Sequence, residues 1–179
     1  MFEGWSEFYL MAGGAAAVLI GLIFVVVTLM QDRSRDSVIA GSKLYMGPIV
    51  LSVSFVLVLS AAALTPGINF GEMAVIAGIV ALWGLARGIR SIVGINGLRG
   101  GEDAPHWTDV WFYGVIPAGL FLCLAAVAMA FWMVWPGAGK GLAVVLTSIL
   151  LLAVRNEWDL VTWLAPKPDR AEEKEFPSH

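Results

Sequence analysis

Five times this chain runs for about twenty residues with almost no charge, and that pattern more than any other limits what it can fold into. A bilayer's hydrocarbon core is about 30 Å thick and a helix rises about 1.5 Å per residue, so each run is long enough for one crossing. The runs are Trp5 to Met30, Tyr45 to Leu64, Gly71 to Val93, Asp109 to Trp135 and Gly141 to Ala165. The expected fold is therefore all-α, a polytopic transmembrane helical bundle of five spans. Residues 1–165 form its single domain, and residues 166–179 form a polar cytoplasmic tail whose composition predicts disorder.

The connections sharpen this picture. Thr65, Pro66 and Gly67 leave so little chain between the second and third runs that the two are expected to form an antiparallel hairpin, and Pro136 to Lys140 does the same for the fourth and fifth. Pro48 falls in the first turn of its run, where a missing N–H is tolerated, whereas Pro117 lies inside the fourth and predicts a kink. Arg33, Arg35 and Lys43 follow the first run, Arg87, Arg90 and Arg99 end the third, and Lys167, Arg170 and Lys174 lie in the tail. Lys140 stands alone on the other side, so the positive-inside tendency puts the N-terminus outside and the C-terminus in the cytoplasm. Trp5, Trp132 and Trp135 fall at the outer boundary on this reading, Trp107, Trp111, Trp158 and Trp163 at the inner one, and Trp83 near mid-depth.

Composition excludes several classes. At 14% charged residues, against about 25% in soluble domains, the 179-residue chain has no room for an additional soluble domain of ordinary size. A net charge of −3 with no long basic run sets nucleic-acid binding aside. Cys123 is the lone cysteine, which rules out an intrachain disulfide or a thiol pair and reads as a small packed hydrophobe. The first run is too long for a cleavable signal, and Glu3 and Glu7 stand where such a signal carries positive charge, so it is expected to stay as a membrane helix. His106 and His179 lie outside the runs, and no G-x-S-x-G, H-E-x-x-H or C-x-x-C occurs. No catalytic residue, metal site or cofactor is assigned, and the chain is not expected to be an enzyme.

Two kinds of residue remain as candidates. Small residues let helices meet backbone to backbone, a main source of association where lipid supplies no hydrophobic drive. Gly13, Ala17 and Gly21 follow at intervals of four with Gly14 beside them, and Gly84 and Gly88 make a second pair. Either set can serve packing within one protomer or between protomers. Ionisable residues within a span are costly and mark function by default. Arg87 and Arg90 in the third run, and Arg155, Asn156 and Asp159 in the fifth, fall at similar depth and form a candidate polar cluster near the inner face. Arg155 and Asp159 are four apart and can pair along one helix face, with Ser148 and Thr162 on the same side. One reading is a vestibule in which Arg87, Arg155 and Asp159 line a path or contact lipid phosphates. The other is that Arg87 and Arg90 snorkel to the headgroups while Arg155 and Asp159 hold the bundle in register. Glu7 and Glu72 sit at helix starts, where a carboxylate favours the positive end of the helix dipole or attracts a cation.

The opening run, with Phe8, Tyr9, Gly13, Gly14, Ala15, Ala16, Ala17, Leu19, Gly21, Leu22, Phe24 and Val25, resembles the first span of a group of small uncharacterised bacterial integral membrane proteins. Its pattern is F-Y, a short spacer and G-G-A-A-A-x-L-x-G-L-x-F-V. Their closing span is similar to the R-N-x-W-D-L formed here by Arg155, Asn156, Trp158, Asp159 and Leu160. The resemblance covers two of the five runs; it implies a bacterial inner (cytoplasmic) membrane protein and brings no activity with it. The expectation is a non-catalytic, multi-pass protein acting through helix–helix association with itself, as a homo-oligomer, or with a partner membrane protein, among membrane lipids. The alternative is a small oligomeric ion or solute channel with a charged cytoplasmic-side mouth.

Overall fold

In the computed structural model the described residues are Phe2, 4–29, 47–97 and 111–164. Arg33, Arg35, Lys43, Arg99, His106, Trp107 and the tail lie outside them. The described residues hold five long helices and no strand: α1 (Ser6–Leu29), α2 (Gly47–Leu64), α3 (Phe70–Gly97), α4 (Ile116–Trp132), entered through a π-helical turn (Trp111–Val115), and α5 (Ala138–Leu164). Each is long and apolar enough to cross a membrane.

Two helix pairs dominate the packing, α1 with α2 and, most extensively, α3 with α4, while α5 touches α1, α2 and α4. The second and third spans, expected as a hairpin, also touch each other. Their connection is short, with Thr65 N–H donating to Ala62 O at 3.0 Å and a capping box opening α3. In that box Glu72 N–H donates to Asn69 Oδ1 at 2.9 Å and Asn69 N–H to Glu72 Oε2 at 3.0 Å, which fixes Glu72 as a cap. Yet α2 packs against α3 far less than it does against α1. The turn sets which ends are neighbours, and small side chains elsewhere decide which helices seal together.

The α3–α4 seal shows why. A Cβ added at Gly84 would overlap the Cγ–Cδ1–Cε1 edge of the Phe121 ring, and one added at Gly88 would stand 3.0 Å from Ala118 Cβ. Both glycines are spent inside one chain. On α1 the expected row splits. Gly13 is buried, and a Cβ there would stand 3.2 Å from Ser60 Cβ on α2, but Gly14, Ala17 and Gly21 are exposed. The stripe that faces the bundle is Tyr9, Ala12, Ala16 and Ile23. A row of every fourth residue advances about 40° per step around a helix of 3.6 residues per turn, so a row that begins at the packed edge walks out to the surface. Alternating steps of three and four stay on one side.

At the end carrying the short connections, Tyr9 is fully buried and its OH donates to Gly139 O at 2.9 Å, tying the start of α1 to the start of α5. Phe2 covers it, with ring centroids 5.1 Å from Tyr9 and 5.9 Å from Phe131. The α4–α5 turn is a Schellman closure: Trp135 N–H donates to Ala130 O and Val134 N–H to Phe131 O, both at 2.9 Å. Val134 holds the left-handed position with φ of 56°, where glycine is the usual occupant. Leu59, Met73, Leu124, Leu142 and Leu146 fill the middle of the bundle. Cys123 is exposed on α4, so the expectation of a packed thiol is corrected: the run is apolar all round, and sequence alone cannot say which side turns inward.

Candidate functional site: the polar layer and cleft at the arginine end

Pro117 organises this end of the molecule. It has no N–H, so it can donate neither to Tyr113 O, four residues back as in an α-helix, nor to Phe112 O, five residues back as in a π-turn. An orphan carbonyl in lipid is costly, and neighbouring helices supply the repair. Ser91 Oγ on α3 donates to Tyr113 O at 3.1 Å, and Asn156 Nδ2 on α5 donates to Phe112 O at 3.4 Å. Tyr113 OH in turn reaches Asn156 O at 3.5 Å. Around the expected irregularity at Pro117 the chain passes from a π-helical entry into the α-helical part of α4, with Pro117 in its first turn, and three helices are stitched together there.

The remaining polar groups of α5 dress this joint. Arg155 lies with its Cζ 3.3 Å from the centroid of the Phe112 ring, donates from Nη1 to Asn156 Oδ1 at 3.1 Å, and pairs through Nη2 with Asp159 Oδ2 at 2.9 Å. Both partners of the ion pair are more than a third exposed at 37% and 42%, so the cation–π contact and the orientation of Asn156 matter more than the Coulomb attraction. Ser148 and Thr162 bond to carbonyls of their own helix, Val144 O and Asp159 O, and do not join the layer. One carboxylate oxygen of Glu157 is buried with no hydrogen-bond partner among the described residues.

Arg87 and Arg90 do something else. Both are exposed and line a cavity of about 210 Å³ between α2, α3 and α4, together with Leu51, Phe55, Tyr113 and Phe121. Arg155 and Asp159 do not line it. The five candidate polar residues thus reach one level of the bundle but form two features, a stitched joint (Arg155, Asn156, Asp159) and an arginine-rimmed cleft (Arg87, Arg90). Arg87 thus lines this cleft while Arg155 and Asp159, expected to share a path with it, do not. Sequence reasoning missed Tyr113, Ser91 and the cleft. The signal was there in Pro117, which announces two orphan carbonyls, but not in which helices would answer them.

The fold and this layer define a multi-pass, all-helical membrane protein. No family model, curated protein or solved structure matches the chain.

Proposed function

We propose that the protein is a non-catalytic component of the bacterial inner membrane that acts by helix contact, with a second copy of itself or with a partner membrane complex, through the outward face of α1. The Lys and Arg distribution supports an orientation with the N-terminus outside and the arginine end in the cytoplasm. One observation carries the reading. Gly14 and Gly21 are exposed and have nothing within 4 Å of an added Cβ, with Ala17 exposed between them. They follow at i, i+3 and i+7 on one stripe, flanked by the exposed Leu10, Val18 and Val25. A helix-interior glycine costs about 1 kcal/mol against alanine, and a lipid-facing one gives nothing back within this chain. Another helix seated on the stripe would recover that cost by close backbone approach.

The test is subunit counting by photobleaching in nanodiscs, together with pull-down from membranes, for the wild type and for Gly14→Leu/Gly21→Leu. The wild type is expected to associate. The variant is expected to be monomeric with monomer stability retained or raised, since both sites are open and each glycine costs the helix about 1 kcal/mol. A wild type that is strictly monomeric in detergent and in nanodiscs, and captures no membrane partner, would defeat the proposal.

A further inference from the structure

The cleft between α2 and α3 differs from ordinary lipid-facing surface in three respects. Its volume of about 210 Å³ exceeds the roughly 150 Å³ of a cavity that admits benzene, so it has room for a length of acyl chain. Its walls are mainly apolar, Leu51 and Phe55 from α2 and Phe121 from α4, with Ser52 of α2 and Ser91 of α3 also lining it. Phe55 and Phe121 meet edge to face at 5.7 Å. Its rim carries Arg87 and Arg90, both exposed, and among the described residues neither has a carboxylate partner. Nor are they spent on the helix end: α3 continues to Gly97, and its last turn holds no basic residue.

We infer that this cleft binds one anionic phospholipid, its phosphate held by Arg87 and Arg90 and part of one acyl chain lying against Leu51, Phe55 and Phe121. A guanidinium offers planar paired donors that fit a phosphate, and it stays charged throughout the physiological range. Arg87 and Arg90 are three apart and so share one side of α3. The apolar slot beside them selects a lipid over a free anion, because only a lipid fills slot and rim together. Simple snorkelling would use the arginines without the slot.

Native mass spectrometry of the full chain, exchanged into equimolar phosphatidylglycerol and phosphatidylcholine, tests the inference. The wild type is expected to retain a single phosphatidylglycerol in preference to phosphatidylcholine. Arg87→Gln/Arg90→Gln, at two exposed sites where folding is not at stake, is expected to lose that preference by about fivefold per arginine. Ser52→Phe, which fills the slot and leaves both arginines in place, is expected to lose the retained lipid while a thermal melt reports its fold. Glycerol phosphate, the headgroup without chains, is expected not to displace it. Unchanged selectivity in the double arginine variant overturns the inference outright. Retention by a folded Ser52→Phe assigns the arginines to the surrounding lipid shell and overturns the slot. Displacement by glycerol phosphate makes the site one for a free anion and overturns the lipid.

Discussion

Gly84→Ala is the most informative single change in this bundle. Elsewhere in an exposed helix interior, glycine to alanine stabilises by about 0.5–1 kcal/mol, because the unfolded chain loses freedom and no contact is disturbed. At position 84 the new methyl would occupy the space of the Phe121 ring, which is 4% exposed and already set edge-on against Phe55. The ring's near edge is what blocks the methyl, so no small rotation of a flexible tip relieves it and the α3–α4 seam has to open. Overpacking of this sort costs about 1–3 kcal/mol, which leaves a net loss of up to about 2.5 kcal/mol after the helix gain. Gly119→Ala on α4 is the control, since nothing lies within 4 Å of its added Cβ and a gain of about 1 kcal/mol is expected. Reversible unfolding in mixed micelles, followed by tryptophan fluorescence, measures both. The decisive arm is the double variant. Phe121→Ala alone should cost about 3–5 kcal/mol. Adding Gly84→Ala to it should then stabilise, giving a coupling of about 2 kcal/mol or more between the sites. If Gly84→Ala and Gly119→Ala shift stability alike, or the coupling falls within about 0.5 kcal/mol of zero, the close contact of α3 and α4 at Gly84 is wrong.

Three further outcomes follow from other contacts, each read by the same unfolding assay. Asn156→Ala removes the donor to Phe112 O and should cost about 1–3 kcal/mol, whereas Asp159→Asn, on a half-exposed ion pair, should cost under about 1 kcal/mol; equal losses would deny the proline repair. Val134→Gly relieves a β-branched residue from the left-handed region and should stabilise by about 1 kcal/mol, and a loss would show that the Val134 side chain holds the turn. Tyr9→Phe deletes the bond to Gly139 O while keeping the ring, at a cost of about 0.6 kcal/mol and at most about 1.7 kcal/mol, typical of hydrogen bonds between transmembrane helices.

What could be read from the residues alone tracks the distance over which each effect acts. Crossing lengths, the Glu72 cap and the Arg155–Asp159 pair depend on neighbours within a turn or a span, and each stands where the sequence puts it. The glycine pair on α3 was legible as a packing surface because both its members sit against one partner helix, Gly84 at Phe121 and Gly88 at Ala118. On α1 the row of every fourth residue misled, since Gly13 is at the edge of the buried stripe and Gly21 has turned away from it. The partners of Tyr9 and Asn156 could not be read. One acts on a carbonyl 130 residues away and the other on a carbonyl 44 residues away, and a nearly uniform apolar sequence gives no hint of which helix lies opposite.

The cleft is where it is because of the way the stitches fall. At the end with the short turns the helices are tied, α1 to α5 through Tyr9, α2 to α3 through the capped connection and α4 to α5 through the Schellman turn. At the arginine end the described polar ties run from α3 through the π-turn to α5, by way of Ser91, Tyr113 and Asn156, and α2 takes no part in them. Ser54 Oγ of α2 does not reach across either, since it bonds to Val50 O of its own helix. So α2 is held there by apolar contact with α1 and α5 and stands off from α3, and the gap is left between an apolar wall and two cations. A helix pair joined at one end and unsealed at the other presents a slot to the bilayer, and here Arg87 and Arg90 stand at its open end.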